Sequence, residues 1–244
     1  KKLNIKVVHV EAGIRSGDFT MPEEINRIVT DSITDYFFTT SDVANKNLIN
    51  SGISKDRIFL VGNTMIDTLI TNRPNFKKPV LWNKLGLDRN NYIIMTLHRP
   101  ANVDEKKILK KIITKVIKHS NDIKIIFPVH PRTNKKLKDI GFKLPRTFHT
   151  TEPLGYLEFN YLVERAFAVI TDSGGITEET TVMHIPCMTI RDNTERPETI
   201  EFGTNELMGV NLNVFARAMQ KLFSGKWKKG SIPYRWDGKS AERI

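Results

Sequence analysis

Two adjacent carboxylates behind a Ser-Gly-Gly turn give this chain its clearest chemical signature: Ala168-Val169-Ile170-Thr171-Asp172-Ser173-Gly174-Gly175-Ile176-Thr177-Glu178-Glu179. A β-branched apolar run meeting such a turn predicts a buried strand that opens into a helix. Glycine allows a ligand close to the backbone. The free N–H groups and positive dipole end of the helix start then favour an anion, typically a phosphate. Glu179 falls about one turn into that helix, where a carboxylate accepts hydrogen bonds from a sugar hydroxyl. An ordinary strand–turn–helix capped by Ser173 would carry the same letters.

Four further clusters hold candidate chemistry. His9-Val10-Glu11-Ala12-Gly13-Ile14-Arg15 puts Glu11 at the C-terminal edge of a strand, where ligands bind in open α/β sheets; a solvent-facing loop carboxylate is the plainer alternative. Pro22-Glu23-Glu24-Ile25-Asn26-Arg27 begins a helix whose acids suit the dipole. Glu23 and Arg27, four apart on one face, are expected to pair. His98 and Arg99 follow an apolar strand, where an imidazole serves as acid or base near neutral pH or donates to a phosphate. His130, with Arg132 close behind, ends the next strand the same way. The polar run Arg191-Asp192-Asn193-Thr194-Glu195-Arg196-Pro197-Glu198 supplies guanidiniums suited to bidentate phosphate contacts. There is no Cys pair, HxxxH, HExxH, GxGxxG or GxxxxGK[ST], so no metal and no dinucleotide cofactor is expected.

A length of 244 residues suits one large domain or two smaller ones, and 39% hydrophobic with 27% charged residues is a soluble globular composition. No apolar run approaches the ~20 residues that span a membrane, and no cleavable signal is expected ahead of the first strand. The single Cys187, between Pro186 and Met188, reads as a buried, reduced thiol and a cytoplasmic location. A net charge of +11 invites a nucleic-acid reading, but lysines such as Lys106, Lys107, Lys110, Lys111, Lys115 and Lys118 fall on helix faces without interleaved aromatics. Neither a nucleic-acid nor a membrane partner is expected.

These groups need strands and helices to position them, and the pattern alternates the two almost throughout. Strands are expected at Ile5 to Glu11, Tyr36 to Thr40, Ile58 to Val61, Tyr92 to Leu97, Ile123 to Val129, Val169 to Thr171 and Cys187 to Ile190. Helices are expected at Pro22 to Asp35, Ser41 to Asn50, from Asp104, Lys135 to Ile140, Tyr156 to Ala166 and Val214 to Phe223. Such alternation implies an α/β protein with doubly wound parallel sheets. Pro74 to Pro79 resembles a linker. The segment before it has about three strands, where a doubly wound domain wants five or six, so the first half is expected to be incomplete.

Taken together, HVEAGIRSGD, MPEEINR, LVGNTMIDTL, TLHRPANVD, FPVHPR, TDSGGITEE, RDNTERPE, EFGTNELMG and WDGKSAERI resemble the non-hydrolysing UDP-N-acetylglucosamine 2-epimerases, in order and over nearly the whole chain. The resemblance implies two Rossmann-like domains of the glycosyltransferase-B type with a nucleotide sugar between them. Residues 1–73 would belong to the first domain and 74–228 to the nucleotide-binding one, with 229–244 a tail helix crossing back. It implies interconversion of UDP-N-acetylglucosamine and UDP-N-acetylmannosamine by elimination and re-addition of UDP, without a cofactor, in a homodimer. Glu11, Glu23 and His98 would be catalytic. Arg27, Phe159, Ser173, Gly174, Gly175, Glu179 and Arg196 would bind substrate, with Phe159 on uracil, Glu179 on ribose and Arg196 near the diphosphate. Arg99 and His130 would lie near an allosteric site.

Thr177 and His184 depart from the family pattern, His184 standing where glycine is common. Family members carry roughly 100 further residues ahead of the HVEAG strand, as the size of a doubly wound domain also demands. Alternatives are a sister 2-epimerase acting on a diacetamido-glucuronate nucleotide, a hydrolysing epimerase releasing free N-acetylmannosamine, and a catalytically silent nucleotide-sugar-binding fragment.

Overall fold

The computed structural model describes residues 1–139, 141, 144–210 and 213–244. Its first part runs β1 (Val8–Ala12), α1 (Pro22–Ile33), β2 (Tyr36–Thr39), α2 (Asp42–Asn50), β3 (Ile58–Leu60) and α3 (Thr64–Asn72). After a short α4 (Val80–Lys84) come β4 (Tyr92–Thr96), α5 (Pro100–Val103), α6 (Lys106–His119), β5 (Lys124–Pro128), α7 (Pro131–Asp139), β6 (Phe148–Thr151) and α8 (Tyr156–Val163). The chain closes with β7 (Ala168–Thr171), α9 (Gly174–Met183), β8 (Cys187–Thr189), α10 (Glu198–Glu201), β9 (Asn205–Leu207), α11 (Phe215–Phe223) and α12 (Ser240–Arg243). The expected helix end at Ile140 lies outside the described residues.

Every strand pairing is parallel: β1-β2-β3 form one sheet, and β6-β5-β4-β7-β8-β9 form the other. In the larger sheet the chain winds outward from β4 through β5 to β6, then returns to β7 on the other side of β4. That reversal makes the β4/β7 boundary the topological switch point, outside whose carboxyl ends α/β sheets hold ligands. Ile93 to Thr96 pair with Ala168 to Thr171, so both strands end level.

The larger sheet is covered on both faces, which is why β4 and β7 read as continuous apolar runs. On one face Leu109, Ile112, Ile113 and Val116 of α6 and Phe215, Met219 and Leu222 of α11 pack on Ile93, Met95 and Ile170. On the other, Leu162 and Val163 of α8 and Val182 and Met183 of α9 pack on Ile94, Val169 and Cys187. Ile66 and Leu69 of α3 join this second cluster, so a helix that follows the smaller sheet is buried against the larger one. In the smaller sheet β1 is one of the two edge strands, with Val8 and Val10 exposed. Ile25, Val29 and Ile33 along α1 are exposed as well.

The tail, expected as a helix, is helical only over Ser240–Arg243; Pro233 and the left-handed Gly238 (φ 81°) break the segment before it. It straps the two sheets together. Trp236 is buried in the second cluster of the larger sheet and donates from Nε1 to the Thr40 carbonyl at 3.0 Å. Arg243 Nη1 donates to the Val61 carbonyl at 2.8 Å, and the Ala241 N–H donates to Asp67 Oδ2 at 2.7 Å.

Candidate active site

At the switch point the loops after β4 and β7 are bound to each other through one carboxylate. Asp172 is wholly buried and accepts from the backbone N–H of His98 (3.1 Å) and of Arg99 (3.0 Å) and from Asn102 Nδ2 (3.0 Å). His98 Nδ1 lies 2.8 Å from its Oδ1. Burial opposes the charge on Asp172, but the His98 contact and these donors hold the carboxyl below its ordinary value. The same hydrogen bond raises the His98 imidazole. With Nδ1 committed to Asp172, Nε2 is the atom left to face the cleft, and the His98 side chain is 63% exposed.

Beside this dyad α9 begins. Ser173 stands at its N-cap but makes no side-chain cap hydrogen bond, so the ordinary capping arrangement is not the one formed. The turn opens toward a guanidinium-rich wall from the β8 loop. Arg191 is 3% exposed and donates from Nη2 to Glu195 Oε2 at 2.6 Å; its Nε and Nη1 have no hydrogen-bond partner among the described residues. Arg196 Nη1 is likewise buried and unpartnered. Arg99 donates from Nε to the Asp172 carbonyl at 3.1 Å. Met65, on α3, lies across from Gly175, where an added Cβ would be 3.9 Å from its Cε.

The two carboxylates of α9 are separated by about 100° around the helix and serve different neighbours. Glu178 is buried, accepts from Asn63 Nδ2 at 2.7 Å and touches Arg196 Nε at 2.5 Å. Burial, together with the nearby carboxylates of Glu11 and Glu198, pushes its carboxyl up to about 7 despite Arg196. Glu179 faces α8, where Asn160 Nδ2 donates to it at 3.4 Å and Tyr156 offers its hydroxyl; burial raises this carboxyl too. Phe159 of α8 is half-buried and packs on the core cluster beneath α9.

Glu11 is brought into this group. It sits at a bulge in β1 with a left-handed backbone (φ 65°), and its Oε2 lies 3.5 Å from Arg196 Nη2. Thr64 Oγ1 donates to its Oε1 at 3.4 Å. Arg196 therefore stands between Glu11 from the smaller sheet and Glu178 from the larger.

Glu23 lies in the first turn of α1 and is exposed, and the ion pair expected with Arg27 is not the one formed. Arg27 Nη1 is 3.5 Å from Glu24 Oε2 instead, because Glu24 is buried and fixed by the N–H groups of Ser16 and Gly17 at 2.8 and 3.1 Å. The start of α1 still faces the site, since Met21 Sδ is 3.9 Å from Arg99 Nη1. His130 lies two residues past the end of β5, one strand away from His98, and its carbonyl accepts the Thr133 N–H at 2.9 Å as α7 begins.

A sequence profile of the family described as UDP-N-acetylglucosamine 2-epimerase matches residues 1–244. The chain belongs to this family. Among the family's curated members it is similar to the UDP-N-acetylglucosamine 2-epimerase of Methanocaldococcus jannaschii, 43% identical over 100% of this chain and 68% of that one. The enzyme of the same name from Methanococcus maripaludis is 41% identical over 91% of this chain and 63% of that one. A crystal structure of the M. jannaschii enzyme in complex with UDP-GlcNAc and UDP superposes with a TM-score of 0.84 at 41% identity, covering 100% of this chain and 69% of that one. The chain thus spans about two thirds of the length of these family members. The fold is the family's α/β arrangement of two Rossmann-like parallel sheets, the glycosyltransferase-B type.

Asp172, Asn63 and Glu195 are the site residues that the candidate motifs contained without marking. For Glu195 a signal existed: a Glu four residues from Arg191 in a polar run between buried elements. Asn63 and Asp172 gave none, because their partners are 115 and 74 residues away.

Proposed function

We propose that this chain carries the nucleotide site and part of the acid–base machinery of an enzyme that interconverts UDP-N-acetylglucosamine and UDP-N-acetylmannosamine at C2. The carrying observation is the convergence, at the switch point, of the uncapped α9 turn with buried Arg191 and Arg196 donors that have no hydrogen-bond partner among the described residues. Buried unpaired guanidinium donors are costly unless an anion meets them, and a diphosphate matches their number and fork geometry. The names of the family members above support UDP-N-acetylglucosamine over a diacetamido-glucuronate nucleotide.

In this reading the diphosphate lies on Ser173, Gly174 and Gly175, with Arg196 beside it, Glu179 on the ribose hydroxyls and Phe159 on the uracil. Elimination breaks the C2–H bond, whose electron pair becomes the C1–C2 π bond, and the C1–O bond, whose pair leaves with UDP. No oxidant or reductant enters. A carboxylate from the Glu11 and Glu23 side takes the C2 proton, which exchanges with solvent, and a solvent-derived proton is added to the opposite face of C2 as UDP returns to C1. The Asp172–His98 dyad presents Nε2 toward the leaving diphosphate, and Arg196 and the helix dipole stabilise its growing charge. Arg27 steadies the helix carrying Glu23. Arg99 and His130 belong to a neighbouring regulatory subsite, and a cytoplasmic homodimer completes the reading.

The test is incubation with UDP-N-acetylglucosamine in D2O, following deuterium at C2 by NMR beside UDP binding by calorimetry. Exchange at C2 supports the epimerase. UDP binding with no exchange favours a nucleotide-sugar-binding role for this two-thirds-length chain and removes the catalytic claim.

A further inference from the structure

The loop that supplies Arg196 also places a negative charge where the nucleotide's own would go. Glu195 Oε1 comes so close to Gly174 that a Cβ there would lie 2.7 Å from it, which puts the carboxylate directly over the first turn of α9. Its other oxygen accepts from Arg191 at 2.6 Å, and Arg99 Nη2 stands 4.0 Å from Oε1. We propose that Glu195 is an internal competitor at the nucleotide site: its carboxylate holds the anion position at the α9 turn, and the phosphate of an incoming nucleotide must displace it. This deepens the nucleotide reading of the preceding section and rests on it.

Three observations carry the inference. First, Glu195 meets the same groups that favour an anion from solution: a helix start of ten residues and two guanidiniums. Burial works against its charge, yet the hydrogen bond and charge of Arg191 hold the carboxyl down to about 2, so it is an anion at every working pH. Second, Glu195 is an incomplete partner. Nη1 of Arg191 points toward the turn, 3.8 Å from the position of a Gly174 Cβ, and neither it nor Nε is satisfied by any described residue. A single carboxylate cannot reach these donors, whereas a phosphate has oxygens to spare. Third, the only element that must yield is the end of a flexible side chain, since Gly174 has no Cβ to wedge the carboxylate in place.

An entering ligand therefore competes with an internal carboxylate. Every ligand that places a phosphate there bears the same cost of displacing it.

Calorimetric titration of the full chain with UDP and with UMP tests this on wild type, Glu195→Gln and Glu195→Asp. Removing the charge in Glu195→Gln should tighten UMP and UDP alike, roughly tenfold. Glu195→Asp keeps the charge but withdraws it by one methylene from the turn, and it should also bind UMP tighter than wild type. Unchanged or weaker UMP binding in Glu195→Gln overturns the proposal and leaves Glu195 as a brace for Arg191. A gain in Glu195→Gln with Glu195→Asp at the wild-type value also overturns it, because a diffuse charge effect would suffice. Failure of all three proteins to bind UDP overturns the nucleotide reading itself, an outcome separate from the other two.

Discussion

Nδ1 of His98 rests 2.8 Å from Oδ1 of a completely buried Asp172, and this contact joins the two strands that define the switch point. The imidazole's position and tautomer are thereby set from β7, not from its own loop. Replacing Asp172 with Asn should lower the His98 pKa from its raised value, read by NMR titration of the ring. It should also cost about 2–4 kcal/mol of stability, because four donors lose a buried anion. The sign with pH follows from the two shifts. The contribution of His98, whose pKa is raised on folding, is complete below the ordinary imidazole value of 6.5 and fades as pH climbs through the raised one. That of Asp172, lowered on folding, is complete above the ordinary carboxyl value of 3.8 and fades as pH falls through the lowered one. Thermal melts of wild type minus Asp172→Asn should therefore differ most between about pH 4 and 6.5.

Gly62 is a second place where a backbone atom decides the architecture. It has φ 110°, and a Cβ would run into the Arg235 carbonyl and lie 2.7 Å from Ser240 Oγ. Neither obstacle is a flexible side-chain end free to swing far, since both belong to the docked tail. Gly62→Ala should release the strap and cost about 2–4 kcal/mol. Trp236 would leave its buried site, so a red shift in tryptophan emission and early proteolysis after Ile232 should accompany the loss. An alanine variant with unchanged emission would show that the tail is held elsewhere.

The parts legible in the sequence were those encoded locally. The β7–turn–α9 unit announced itself through a β-branched run and paired glycines, and Ser41 was readable as the cap of α2, where its Oγ accepts from the Ala44 N–H at 3.3 Å. Helix α3 escaped notice because its threonines and isoleucines read equally as strand, and its helicity is decided by burying Ile66 and Leu69 against the larger sheet. Strand β9, Asn205-Glu206-Leu207, has no strand signature at all and exists because β8 offers it an edge. Among the candidate residues, Glu178 and Glu179 are indistinguishable as letters. Only the helix's rotation, and Arg196 arriving from another loop, sends one into an ion pair and the other toward α8.

His184 ends α9 in the left-handed conformation (φ 57°, ψ 32°), with its N–H on the Thr180 and Thr181 carbonyls. A residue with a Cβ is strained there, whereas glycine adopts this conformation without that cost. His184→Gly should raise stability by about 0.5–1 kcal/mol, the relief of strain being offset in part by the greater freedom of glycine in the unfolded chain. For a chain of this size that is a rise of roughly 1–4 °C in melting temperature. His184 is exposed and remote from the α9 turn, so UDP affinity should not change. A fall in melting temperature would mean that the imidazole contributes contacts worth more than the strain.

In the proposed nucleotide reading, Glu179 separates the sugar half of the site from the phosphate half. It lies on the face of α9 turned toward Tyr156 and Asn160, whereas the guanidiniums gather around the turn and Glu178. Its carboxyl is raised by burial, so it gains from a hydroxyl pair that shares its charge. Glu179→Ala should weaken UDP by about 10–100-fold, the loss of one or two hydrogen bonds to a charged acceptor. Pyrophosphate, which has no ribose, should bind wild type and variant alike. The comparison is diagnostic because a collapsed helix would weaken both ligands, and a carboxylate that merely steadied Tyr156 would weaken neither. Equal losses for UDP and pyrophosphate would place Glu179 among the phosphate contacts and shift the ribose away from α8.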